Sequence, residues 1–271
     1  MSAPQPENAS RPEGVPQPEG VPQPAGAPQP EDAPQPEGAP QPERGARLFA
    51  VLEPLALCAV PVVLVACAVA QVQPAALLSM LTALAAVCVF FAGFEASRPA
   101  LRQIMPTVVL AALAAAGRIL FAAVPDFKPV SAICIIAGVV FGRRCGFCTG
   151  ALAALASNFF FGQGPWTPWQ MYAWGLVGYL AGALASRGWL DRTPVLLAYG
   201  FLSAMLYGLL LNGWYVIGYV HPLTWPAVAA AYAAGFPFDA VHGVATVVFL
   251  GVLYAPWRRK LERIKRKFAL A

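Results

Sequence analysis

Residues 158–174 read NFFFGQGPWTPWQMYAW, a stretch that separates two long apolar runs with an amide, a Gly-Gln-Gly turn and three tryptophans. Irregular backbone survives at membrane depth only where protein buries it or where it lines a watery cavity. Gly162 and Gly164 permit a tight turn, and Pro165 and Pro168 end helices on either side. An aromatic interface loop would explain the tryptophans but not the amides and glycines. The stretch therefore predicts a loop that covers a solute-binding pocket.

The composition indicates a polytopic membrane protein. Of the 271 residues, 58% are hydrophobic and only 11% are charged, well outside the range of soluble domains. Residues 1–47 hold seven acids and three arginines, whereas the rest of the chain holds fifteen Lys/Arg against six acids. Basic membrane proteins carry such charge in cytoplasmic loops. No basic stripe with interleaved aromatics indicates nucleic-acid binding.

The N-terminal region is a degenerate hexapeptide repeat that runs from Val15 to Arg44 as VPQPEG, VPQPAG, APQPED, APQPEG and APQPER. Regular proline forbids helix and favours solvated polyproline II, and the segment has too little apolar surface to fold. We therefore expect residues 1–47 to form a disordered tail.

Eight apolar segments follow, and the predicted class is an all-α polytopic membrane protein. The segments are 49–70, 74–94, 104–124, 130–141, 146–161, 169–186, 194–215 and 237–256. A span needs about 20 helical residues, so the fourth and fifth segments are short and predict kinked helices, local membrane thinning or a re-entrant pair. Short, glycine-broken segments point to a binding site.

Basic residues set the expected orientation. They cluster in alternate loops and in the C-terminal tail, at Arg98, Arg102, Arg143, Arg144, Arg187, Arg192 and residues 258–267. Eight crossings with both termini in the cytoplasm satisfy this alternation. The loops around 125–129, 163–166 and 213–236 then face outside, the last with a short surface helix near 226–234.

Polar and aromatic residues near the outer ends are the candidate substrate-binding residues. They are Arg118, Asp126, Lys128, Asn158, Gln163, Trp166, Trp169, Asn212, Asp239 and His242. An intramembrane arginine is costly and functional by default, although Arg118 could also reach the interface or pair with Asp126 or Asp239. Asp239 and His242 share a helix face but are too few for a metal site, so no metal is expected.

No catalytic constellation is recognisable, and we expect no enzyme activity and no cofactor. Motifs for nucleotide hydrolysis through a P-loop, for nucleophile elbows and for zinc proteases are absent. Ser157 with two distant histidines leaves an intramembrane hydrolase as the alternative of another class.

Three stretches together resemble a known family. Residues 114–129 read AAAGRILFAAVPDFKP, residues 136–138 read IAG, and residues 158–170 read NFFFGQGPWTPWQ. They are similar to the substrate-binding S components of energy-coupling factor (ECF) vitamin transporters, closest to the branch associated with cobalamin uptake. The likeness runs from about Glu95 to the C-terminus.

This resemblance implies a six-helix substrate-binding core over 98–257, with two extra transmembrane helices over 48–97 and a basic cytoplasmic tail over 258–271. It also implies a cell-membrane protein that captures a vitamin, cobalamin or another vitamin or cofactor precursor, from outside. The implied partners are a transmembrane coupling protein and two cytoplasmic ATPases. In this family small alanines on the first core helix contact the coupling protein, and the matching residues are Ala111, Ala112, Ala115 and Ala116.

Overall fold

The computed structural model describes residues 42–70, 75–97 and 101–268, and within these ranges the chain forms eight α-helices and no strand. The helices are α1 (Pro42–Ala70), α2 (Ala75–Ala96), α3 (Leu101–Leu120), α4 (Val130–Phe141), α5 (Arg143–Phe161), α6 (Thr167–Ala185), α7 (Thr193–Tyr219) and α8 (Trp225–Lys267). The repeat at residues 1–41 lies outside the described residues.

Four of the described helices are long and apolar enough to cross a membrane, namely Val51–Ala70, Ala75–Ala96, Thr193–Tyr219 and Trp225–Lys267. They also expose large apolar side chains, among them Val69 at 80% and Leu202 at 64%. A soluble protein rarely exposes apolar surface on this scale. The chain is a helical membrane protein.

Helix α4 lies at the centre of the helix bundle. Its sequence VSAICIIAGVVF is apolar on every face, and ten of its twelve residues are buried. It packs against α3, α5, α6, α7 and α8, as expected for a helix that is hydrophobic all round. Gly142, with φ of 94°, links it directly to α5, and neither of these helices contains a proline. Helix α4 is therefore a short helix that other helices enclose on all sides.

Glycines let α6 approach α4 and α5 to within backbone contact. A Cβ atom placed on Gly138 would lie 2.1 Å from the carbonyl oxygen of Gly178, and one on Gly146 would lie 2.4 Å from the same oxygen. Small residues permit such close packing between membrane helices. This contact brings the end of α5 and the start of α6 together around residues 158–170.

The N-terminal helices α1 and α2 pack onto this core through polar and aromatic contacts. Glu53 of α1 is fully buried, and its Oε1 accepts a hydrogen bond of 2.5 Å from Nε of Arg144 on α5. The rings of Phe90 on α2 and Phe147 on α5 stack with centroids 3.7 Å apart. Tyr172 on α6 donates a 2.6 Å bond to the carbonyl of Leu57 on α1.

The observed helix ends differ from the predicted segments at several places, most clearly in α1, α3 and α8. Helix α1 already begins at Pro42, inside the predicted tail, and α3 ends at Leu120 instead of reaching residue 124. The short surface helix predicted near 226–234 is wrong as a separate element, because α8 runs unbroken from Trp225 to Lys267 and contains Pro237. The connection between α7 and α8 is therefore only residues 220–224.

Candidate ligand-binding site

A cavity of about 90 Å³ lies where α3, α6, α7, α8 and the loop 121–129 meet. Its polar lining residues are Arg118, Asp126, Lys128, Gln170 and His242, and its other lining residues are Val130, Trp174 and Tyr207. Four of the residues predicted from the sequence therefore line one cavity, although they lie far apart in the chain. They are Arg118, Asp126, Lys128 and His242.

Arg118 is the central cation of this site. It lies in the last turn of α3, and its Nη1 donates to Ser157 Oγ at 2.7 Å and to Asn158 Oδ1 at 2.6 Å. Both acceptors belong to the last turns of α5. The guanidinium is therefore fixed by neutral groups across the helix interface, and it forms no ion pair with a described carboxylate.

Asn158 connects Arg118 to the start of α6. Its Nδ2 donates to Thr167 Oγ1 at 3.0 Å and to Gln170 Oε1 at 2.8 Å. Thr167 in turn donates to Gln163 Oε1 at 2.9 Å. The buried amide of Asn158 thus uses both donors and its acceptor, which is the requirement for a stable buried polar group.

Aromatic rings form one wall of the cavity. Trp174 and Tyr207 stack with centroids 4.8 Å apart, and the ring of His242 meets Tyr207 edge-on at 5.0 Å. The guanidinium carbon of Arg118 lies 5.0 Å from the centroid of Trp174 and 4.6 Å from that of Phe161. Such cation–π contacts stabilise a desolvated arginine.

The loop between α3 and α4 supplies the remaining charges. Asp126 has a positive φ of 52°, which places it in the left-handed region. Burial raises the pKa of the Asp126 carboxyl, and the nearby Lys128 and Arg118 oppose this rise. Burial likewise lowers the pKa of the Lys128 ammonium, and Asp126 opposes that change. Both side chains are half-buried, and Lys128 Nζ donates to the carbonyl of Val124 at 3.0 Å.

The predicted pair of Asp239 and His242 does not act as a unit. His242 forms a buried 2.7 Å hydrogen bond through Nε2 with Ser131 Oγ on α4. Asp239 instead accepts a 2.9 Å bond from Asn212 Nδ2 on α7, and its carboxylate packs against Gly208. Asp239 and Asn212 are not among the described residues that line the cavity.

The remaining predicted residues support the site from outside the cavity. Trp169 is fully buried in the core. Trp166 is 37% exposed, and its ring covers Gly164. Gln163 Nε2 donates to the carbonyl of Leu155 at 3.1 Å, which closes the turn between α5 and α6.

The residues predicted to bind substrate did not include the cavity residues Gln170, Trp174 and Tyr207 or the neighbouring Ser131, and Ser157 was considered only for the alternative hydrolase. Gln170 and Trp174 lie in the opening stretch one helical turn apart, a signal that could have identified them. Tyr207 lies in an apolar run, where no local pattern distinguishes it from an ordinary core residue.

No group of three or more metal-ligating side chains occurs among the described residues.

The four alanines of α3 that match the coupling-protein contact differ in exposure. Ala111 and Ala115 are buried, whereas Ala112 and Ala116 are exposed. The four alanines therefore lie on two faces of the helix, and only one face is open to a partner.

The model of a family described as a family of unknown function (DUF6580) matches residues 98–264. The chain belongs to this family. The DUF6580 region contains every residue that lines the cavity, whereas α1 and α2 lie outside it. No curated protein and no solved structure matches the chain.

Proposed function

We propose that this chain is the substrate-binding component of an ECF-type importer, which captures a vitamin or related solute from outside the cell. One observation supports the proposal. Two of the three stretches that resemble the ECF family contribute side chains to the same cavity. Residues 114–129 supply Arg118, Asp126 and Lys128, and residues 158–170 supply Gln170. Convergent polar groups beside an aromatic wall are typical of small-molecule sites.

In this proposal α3 to α8 form the six-helix substrate-binding core, and α1 and α2 are an addition to it. The cavity opens toward the outside, and both termini lie in the cytoplasm. Support comes from the distribution of charge, because the basic loops and the basic end of α8 alternate with loops that are poor in Lys/Arg.

The topology predicts that Lys128 and Trp166 lie outside, and that Arg143, Arg192 and Lys265 lie in the cytoplasm. The test uses single cysteines at position 166 or 192 in a chain whose six native cysteines are replaced. An impermeant thiol reagent is expected to label position 166 in intact cells, and position 192 only after permeabilisation. Labelling of position 192 in intact cells would contradict the proposed orientation.

The proposed partners are a membrane coupling protein and two ATPases, which would supply the nucleotide hydrolysis. Ala112 and Ala116 form the exposed small-residue face of α3 that suits close contact with a partner helix. They are flanked by the exposed apolar residues Val109 and Leu113.

The substitution Ala112→Leu is expected to leave ligand affinity unchanged and to lower uptake. A loss of about 1.4 kcal/mol in the partner contact lowers complex formation about tenfold. The measurement is uptake in cells that contain the coupling module, together with calorimetry on the purified variant. Ala230→Leu, at an exposed alanine of α8, is the matched control and is expected to keep normal uptake. Equal uptake by both variants would contradict the proposal that the exposed alanine face of α3 contacts the coupling protein.

The ligand expected from the resemblance is cobalamin, and the cavity size bears on that choice. Pockets for drug-sized ligands usually measure about 300–1,000 Å³, whereas this cavity measures about 90 Å³. Cobalamin would therefore require the cavity to widen, for example by movement of the loop 121–129, which supplies Asp126 and Lys128. A visible absorption spectrum and calorimetry with cyanocobalamin test this ligand directly, because a bound corrinoid is coloured.

The alternative of an intramembrane hydrolase would need an accessible nucleophile beside a base. Ser131 does contact His242, but Ser131 is fully buried in α4 and does not line the cavity. Ser157 donates to the carbonyl of Ala153 and accepts from Arg118. These contacts favour solute binding as the proposed function.

A further inference from the structure

Arg118 presents unused hydrogen-bond donors at the cavity. A guanidinium has five N–H donors, and Nη1 uses its two on Ser157 and Asn158. No described residue accepts a hydrogen bond from Nε or Nη2, and no described carboxylate oxygen lies within 4 Å of the guanidinium. The Nε–Nη2 edge is the one that binds a carboxylate or phosphate with two parallel bonds.

Trp174 contributes a buried aromatic ring to the same lining. This residue is only 4% exposed, and its Nε1 is closed to water and has no hydrogen-bond acceptor among the described residues. The ring of Trp174 therefore shapes the cavity, and the unused donors of Arg118 are the ones available to a ligand there.

Charge and size restrict the ligand further. The lining holds two cations, Arg118 and Lys128, against one acid, Asp126. The volume of about 90 Å³ corresponds to about three water molecules at about 30 Å³ each. The stacked rings of Trp174 and Tyr207 form a flat wall.

We propose that this cavity binds a compact oxyanion, whose oxygens accept hydrogen bonds from Nε and Nη2 of Arg118. This inference rests on the proposed solute-binding function and specifies the chemical class of the solute. Two sources share this chemistry, a small carboxylate and a free phosphate.

The test is calorimetry on the full-length purified protein in detergent, with acetate, inorganic phosphate and acetamide as probes. Acetamide has the shape of acetate without its charge. Saturable binding of acetate indicates a carboxylate site, and binding of phosphate alone indicates a phosphate site. Acetamide is expected to bind at least about tenfold more weakly than the anion that binds, the scale of one charge-assisted hydrogen bond. Absence of binding by both anions, or binding of acetamide as tight as that of the bound anion, would overturn the inference.

Two substitutions locate the binding. Arg118→Gln is expected to weaken binding of the anion about tenfold to a hundredfold, because it removes the unused donors at the cavity. Arg192→Gln is the matched control, since Arg192 is exposed and does not line the cavity, and it is expected to leave the affinity unchanged. Equal losses in the two variants would also overturn the inference.

Two results would distinguish a failure of the oxyanion inference from a failure of the importer proposal. Uptake of a neutral vitamin that survives Arg118→Gln would overturn the oxyanion inference and keep the importer. Oxyanion binding by the purified chain, with no uptake in cells that hold a coupling module, would keep the inference and overturn the importer.

Discussion

Gly178→Val is expected to destabilise the protein by about 3 kcal/mol or more, because overpacking at a helix contact forces backbone to move. A Cβ atom at this position would lie 2.2 Å from the carbonyl oxygen of Gly146. Helices α5 and α6 would have to separate, and the hydrogen bonds from Asn158 to Thr167 and Gln170 span that interface. The measurement is the thermal midpoint of the purified protein in detergent.

Gly251→Val is the matched control for this prediction. Gly251 also lies within a helix, but a Cβ atom there would meet no heavy atom within 4 Å. Both variants carry the same gain in helix propensity from glycine to valine, so the difference between them isolates the packing effect. Equal thermal midpoints for the two variants would show that the α5–α6 contact tolerates a side chain.

Arg144→Ala is expected to cost about 3 kcal/mol, the lower end for removal of one partner from a buried ion pair. The reason is the position of Glu53, which is 0% exposed and would keep its carboxylate without the 2.5 Å bond from Arg144. Arg143 cannot replace this bond, since its Nε lies 3.9 Å from Oε2 of Glu53 and is no hydrogen-bond donor to it. Unfolding is followed by the accessibility of the buried cysteines, such as Cys148, to a thiol reagent during heating.

Two comparisons make this second prediction specific. Arg258→Ala removes an arginine from the exposed pair with Glu262 and is expected to cost less than about 1 kcal/mol. The double variant Glu53→Gln/Arg144→Ala neutralises the buried acid and is expected to regain part of the lost stability. A double variant no more stable than Arg144→Ala would mean that packing, and not charge, determines the loss.

The Glu53–Arg144 pair also explains how the region outside the family match is attached. Helices α1 and α2 precede residue 98, where the DUF6580 match begins. Glu53, Phe90 and the carbonyl of Leu57 nevertheless contact α5 and α6. Loss of the pair is therefore expected to loosen the attachment of α1 in addition to lowering overall stability.

The helical segments and the membrane class could be predicted from the sequence, because both depend on local properties. In lipid each segment must satisfy its own backbone hydrogen bonds, so a long apolar run becomes a helix whatever surrounds it. The eight predicted segments accordingly match eight described helices, with ends that differ by several residues. Pro165 and Pro168 with Gly162 and Gly164 also marked the break between α5 and α6, since their effect on the backbone is local.

The partners of the polar side chains were decided only by the tertiary structure. Arg118 meets Ser157 and Asn158, which are 39 and 40 residues away in the chain, and Arg144 meets Glu53 across 91 residues. No local periodicity encodes such pairs. They form because helix packing brings α1 and α3 against α5 and because a buried charge must find a polar partner. For the same reason the sequence placed Asp239 with His242, whereas helix packing gave each of them a separate partner on a different helix.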